Sequence, residues 1–106
     1  MGKETGNLRE LIKACHKSAR GKGFWDKERN VGEMLMLIVS ELGEAIEAHR
    51  KHRFGLCQKD TFEDEIADTF IRLCDLCGGL DIDVQTQILW KLRYNQKRPT
   101  LHGKKY

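Results

Sequence analysis

The sequence predicts an all-α protein, a four-helix bundle that assembles as a dimer or tetramer. Three observations lead there. Apolar residues recur at helical spacing along the chain, and no stretch alternates as a half-buried strand does. Breaks at "RGKGFWD", "RFGLCQKD" and "GGLDID" divide the 106 residues into four segments with short connections. The second segment carries an apolar stripe too broad for a lone small bundle, and a chain of this length buries a limited share of its surface, so further copies are expected to cover the rest.

The first helix is expected from about Asn7 to Ala19, with Leu8, Leu11, Ile12 and Cys15 on one face, ended by the two glycines of "RGKGFWD". The second runs from about Glu28 to His52, its stripe formed by Val31, Met34, Leu35, Ile38, Leu42, Ala45 and Ile46. The third starts near Thr61, with Asp60 or Thr61 as its cap. It continues through Ile66, Phe70, Leu73 and Cys77 to the Gly78-Gly79 stop. The fourth spans about Asp83 to Lys97 and is ended by Pro99. Residues 99–106, "PTLHGKKY", form a tail on what is otherwise one domain covering 1–106.

Charged residues at 33% and hydrophobic residues at 40% fit a globular chain and exclude a disordered one. "MLMLIV", Met34 to Val39, is far too short to cross a bilayer, and "MGKETGNLRE" lacks the apolar segment of a secretory signal. The expectation is a cytoplasmic protein with no membrane partner. Cys15, Cys57, Cys74 and Cys77 then read as reduced thiols that pack as small hydrophobes. Cys74-x-x-Cys77 has the spacing of zinc and redox sites, but no second pair completes a zinc ribbon.

Charge is distributed unevenly behind a net +3. Eight of the sixteen acids lie between Glu41 and Asp68, and none lies between Val84 and Tyr106, where Lys91, Arg93, Lys97, Arg98, Lys104 and Lys105 are basic. Such a chain can bind nucleic acid through its basic end, or hold a metal in one part and phosphate in the other.

Glu41 and Glu44 are three apart, so they project together beside Ile38, Leu42 and Ala45. Glu65 and Asp68 repeat the spacing on the third helix, beside Ile66 and Phe70. If the second and third helices pack antiparallel, the two pairs face each other. Carboxylates so placed repel, and a divalent cation removes the repulsion. Oxygen-only ligands select magnesium, with manganese able to substitute. A di-iron site would need Glu-x-x-His, which the chain lacks. The competing reading is a solvated acidic face. Glu47, Asp60, Glu63 and Asp64 read as such residues, and Asp64 is an alternative partner for Asp68 in place of Glu65.

With these pairs the sequence resembles the MazG-like all-α nucleoside triphosphate pyrophosphohydrolases. Their signature is E-x-x-E followed on the next helix by E-x-x-D, here Glu41-Leu-Gly-Glu44 and Glu65-Ile-Ala-Asp68 after twenty intervening residues. "GFWDKERNVGEMLMLIVSELGEAIEAHR" is similar to the family's N-terminal half and "KLRYNQKRPTLHGKKY" to its closing segment. The resemblance implies magnesium-dependent cleavage between the α and β phosphates of a nucleoside triphosphate, with deoxynucleotides the favoured substrates. It implies metal ligation by Glu41, Glu44, Glu65 and Asp68, with Glu41 or Glu44 as catalytic base. It also places Lys91, Asn95 and Arg98, on one helix face with Tyr94, against phosphate and sugar, and the His102–Lys104 segment over the site. A detached tail is the competing reading of that segment.

Trp25 is either a stacking surface for the base or a packing tryptophan, whereas Trp90, beside Ile88 and Leu89, reads as packing. No phosphate-binding glycine loop is present, so phosphate binding would fall to metal and side chains. Two other classes compete: a non-enzymatic helical module binding nucleic acid or a partner through the basic end, and an inactive subunit of the same fold. Two acid pairs bordering the core argue against the first, and retention of all four acids argues against the second.

Overall fold

The computed structural model describes residues 7–98, and every regular element among them is an α-helix. Helix α1 spans Leu8–Gly21, α2 Val31–Arg50, α3 Phe62–Gly79 and α4 Val84–Gln96. None of the described helices is long and apolar enough to cross a membrane. The predicted tail, 99–106, lies outside the described residues.

Each helix begins where a side chain takes up a free backbone donor. Asn7 accepts from the Glu10 amide at 2.9 Å, and Asn30 accepts from the Glu33 amide at 3.0 Å. The Asn30 cap starts α2 at Val31, later than the expected Glu28, because its backbone is extended (φ −82°, ψ 121°). The helix ends at Arg50, before the expected His52, which adopts φ 55°. Thr61, not Asp60, caps α3: its hydroxyl accepts from the Asp64 amide at 3.2 Å and reaches the Gly55 carbonyl at 2.9 Å. Asp83 caps α4 through the Thr86 amide at 3.2 Å.

Helix α3 lies between α1 and α2 and packs extensively on both. Late α2 meets early α3, where the His49 and Phe62 rings sit 5.2 Å apart. At the other end Met34 and Ile38 share the core with Cys74, Leu76, Cys77 and Ile12 of α1. These contacts make α2 and α3 antiparallel, the arrangement the short connection predicts. The buried residues of α2 are Met34, Ile38, Ala45 and Ala48, on the line that faces α3. The small Ala45 and Ala48 let the two helices approach.

The α2 stripe is covered only in part, as its breadth predicts for a single chain: Val31, Leu35, Leu42 and Ile46 are 43%, 47%, 44% and 59% exposed. Two other expectations of packing need correction. Helix α4 buries none of its residues and touches the other helices sparsely. It is held at its start by Arg9, whose guanidinium donates to Thr86 Oγ1 at 2.9 Å and lies 3.4 Å from Asp83. With no fourth helix against it, the far half of the α2 stripe stays open. Trp90, read as packing, is 54% exposed and stacks on Tyr94 instead.

Candidate functional site

On α2, Glu41 falls on the buried line itself, between Ile38 and Ala45 at helical spacing. On α3, Glu65, Asp68, Arg72 and Asp75 follow one another at i, i+3, i+7 and i+10 along one face. Antiparallel packing sets these polar lines against each other.

Ligand oxygens of Glu41, Glu65 and Asp68 converge to within 4.8 Å of one another, and all three residues are partly buried. Glu44, the fourth expected ligand, lies outside this group and is exposed, because it sits to one side of the line facing α3. It remains close enough to act on Glu65. Burial raises the Glu65 carboxyl above its ordinary value, and the charges of Asp68, Glu41, Glu44 and Asp64 raise it further. Burial likewise raises Asp68, with Asp64 and Glu41 adding to it and the cations Lys59 and Arg72 acting against it. Arg72 Nε lies 3.3 Å from Glu41 Oε1.

A second acidic group, Asp60, Asp64 and Glu65, shares Glu65 with the first. Its chemistry is that of a helix start. Asp64 accepts from the Asp60 amide at 2.9 Å, and Glu63 accepts from the Gly55 amide at 3.0 Å. Glu63, Asp64 and Glu65 lie in the first turn of α3, where the helix dipole favours them. Asp64 is thereby tied to the loop, which leaves Glu65 and Asp68 facing Glu41.

Further along α3, Asp75 is buried yet fully engaged. Trp25 Nε1 donates to Asp75 Oδ1 at 2.8 Å, and His16 Nδ1 lies 2.9 Å from the same oxygen. Arg29 reaches Oδ2 at 3.3 Å and lies over the Trp25 ring. Gly78 and Gly79, predicted as a stop, do more than end the helix. A Cβ on Gly79 would come within 2.1 Å of the Trp25 ring, and one on Gly78 within 2.7 Å of His16. Trp25 packs against the core from this position and is partly buried.

Lys91 and Tyr94 share a face of α4, whereas Arg98, expected on the same helix face, lies two residues past the helix end at Gln96 and still reaches the Tyr94 ring. Lys91 Nζ and Arg98 Cζ lie 4.9 Å and 5.5 Å from the Tyr94 ring centre. Asn95 is exposed beside them. Within one chain this face is not brought to the acids, since α4 makes no extensive contact with α2 or α3. The His102–Lys104 segment lies outside the described residues.

The four cysteines are free thiols. Burial pushes Cys74 up to about 11 and raises Cys15 and Cys77, so these three are inert core groups, while Cys57 is exposed. Among the described residues no cysteine joins a group that could hold a metal.

Arg72, Asp75 and His16 went unread in the sequence. A signal existed for Asp75, an acid set inside "LCDLC" where every neighbour is apolar. Compared with protein-family models, curated proteins and solved structures, the chain has no significant match among them.

Proposed function

We propose that the protein is a magnesium-dependent nucleoside triphosphate pyrophosphohydrolase with a MazG-like fold. It would cleave the α–β phosphoanhydride of a (deoxy)nucleotide to the monophosphate and pyrophosphate, a housecleaning activity. The observation behind this reading is the convergence of Glu41, Glu65 and Asp68 within 4.8 Å, from two helices that carry E-x-x-E and E-x-x-D.

The donor set fits a hard divalent cation: all carboxylate oxygens, drawn from two helices, with two of the acids raised by burial and mutual repulsion. Magnesium, or manganese in its place, would supply charge neutralisation for the triphosphate and activation of water. Glu41, Glu65 and Asp68 are the residues to hold it. Glu44, one turn from Glu41 and outside the group, would accept the proton of the attacking water. Lys91 and Arg98 supply positive charge for phosphate, Tyr94 and Asn95 polar contacts to the sugar, and the accessible part of Trp25 a stacking surface for the base.

Assembly as a homodimer or homotetramer belongs to the same reading. Leu35, Val39, Leu42 and Ile46 form an α2 stripe at i, i+4, i+7 and i+11, each between 44% and 59% exposed. An apolar surface of this kind marks an interface. Packing between copies would cover it and give α4 a surface on which its cations can meet an acid cluster.

The test is to incubate the full chain with a panel of NTPs and dNTPs plus magnesium, measuring pyrophosphate separately from orthophosphate. Pyrophosphate release is the expected outcome. Orthophosphate alone would assign a different bond, and no product from any nucleotide would remove the enzymatic reading. The exposed, acid-free α4 favours one alternative, a helical module that binds nucleic acid. That alternative requires duplex binding that weakens steeply with salt.

A further inference from the structure

Arg72 has no part in the E-x-x-E and E-x-x-D pattern, yet it stands within the acid cluster. It lies one turn beyond Asp68 on the same α3 face, and its Nε is 3.3 Å from Glu41 Oε1. The neighbouring acid on that face, Asp75, already has Trp25, His16 and Arg29, so Arg72 is not needed there. Its positive charge acts on Asp68, opposing the rise that burial and Asp64 produce. The side chain is 40% exposed, against 16% for Glu41, so the guanidinium reaches in from solvent while the carboxylate is fixed between helices.

We propose that Arg72 competes with the divalent cation for Glu41 and, once displaced, turns its guanidinium to the triphosphate. This rests on the metal reading of the cluster. Glu41 carries one carboxylate, which both pairs with Arg72 through Oε1 and offers an oxygen within 4.8 Å of ligand oxygens of Glu65 and Asp68. A guanidinium and a divalent cation repel, so loading the metal weakens the Arg72–Glu41 pair. The freed side chain is long, 40% exposed and anchored one turn from Asp68, so it stays within reach of the cluster. Its planar fork of donors matches phosphate oxygens, which a triphosphate bound at the cluster would bring into reach. Arg72 therefore balances the acids before loading and contacts the anionic substrate afterwards.

The experiment is calorimetric titration of the full chain with Mn²⁺ alone, then of the Mn²⁺-saturated protein with inorganic pyrophosphate, for wild type, Arg72→Gln and Arg72→Lys. Loss of a partly exposed ion pair of up to about 1 kcal/mol corresponds to Mn²⁺ binding about five-fold tighter in Arg72→Gln. Pyrophosphate should bind more weakly to the same variant, about ten-fold for a lost charge-assisted fork. Arg72→Lys, which keeps the charge and loses the fork, should restore the wild-type Mn²⁺ affinity while recovering pyrophosphate binding only in part. It also serves as the second variant if Arg72→Gln loses its helical circular dichroism. Equal or weaker Mn²⁺ binding in Arg72→Gln overturns the competition, and unchanged pyrophosphate binding overturns the contact with substrate. If wild type binds no Mn²⁺, the metal reading itself fails, a result distinct from either.

Discussion

Helix α3 carries acids in two places on one face, and they differ in what surrounds them. Asp75 is the more buried, yet its oxygens meet an indole N–H, a histidine nitrogen and a guanidinium. Glu65 and Asp68, two to three turns earlier and less enclosed, face Glu41 and one another, with Lys59 and Arg72 as the cations that act on Asp68. Burial alone therefore does not mark a functional acid. A buried charge with its partners supplied by the fold is structural, whereas converging charges that the fold leaves in excess call for a partner from outside.

The sharpest way to break this comparison is to neutralise one acid at each place. Glu41→Gln and Asp68→Asn each remove a proposed metal ligand. Each should lower pyrophosphate release by about 10³-fold, on the scale of losing one group that stabilises transition-state charge. Helical circular dichroism should persist in both variants. Undiminished turnover would show that the ligands have been misassigned.

Asp75→Ala should do the reverse. It strands the Arg29 charge, the Trp25 N–H and the His16 ring at the junction of α1, α3 and the loop before α2. Removing one partner of a buried charged pair costs about 3 kcal/mol, seen as a lower denaturant midpoint. Mn²⁺ affinity of the protein that remains folded should be close to wild type. Unfolding indistinguishable from wild type would show that the network adds nothing.

The same contrast explains how much of the molecule was legible in its sequence. The four helices were, because Asn, Thr and Asp caps and glycine stops act locally. Glu41, Glu65 and Asp68 were legible because helical spacing and antiparallel packing suffice to bring them together. Glu44 shows the limit. A spacing of three puts two side chains near each other without saying which one faces the next helix, and the packing of α3 selected Glu41. Asp75 depends on His16, Trp25 and Arg29, which are far away in sequence, so no local rule predicts its pairing. That a single chain leaves part of the α2 stripe open was legible from its breadth, whereas the unpacked α4 escaped because periodicity reveals an apolar face, not what packs against it.

The smallest expected effect is also the most discriminating, because its sign changes with conditions. Glu65 is raised by burial and by neighbouring acids, so the native state keeps its proton to higher pH than the unfolded chain does. Between the ordinary glutamate value of about 4.3 and the raised native value, folding takes up protons, and stability falls as pH rises through that window. Above the window the full penalty remains. Glu65→Gln removes it, so without divalent metal at pH 7 the variant should melt above wild type, with the difference disappearing below about pH 4, where both states of Glu65 are protonated. Magnesium or manganese should stabilise wild type more than the variant, which has lost a charged ligand, and so close or invert the gap. Asp75 offers no such reversal, since its counter-charges belong to the fold and are present whether or not metal is added. A variant that melts below wild type at pH 7 without metal would mean that Glu65 is held by favourable contacts, and the distinction between the two acidic places on α3 would collapse.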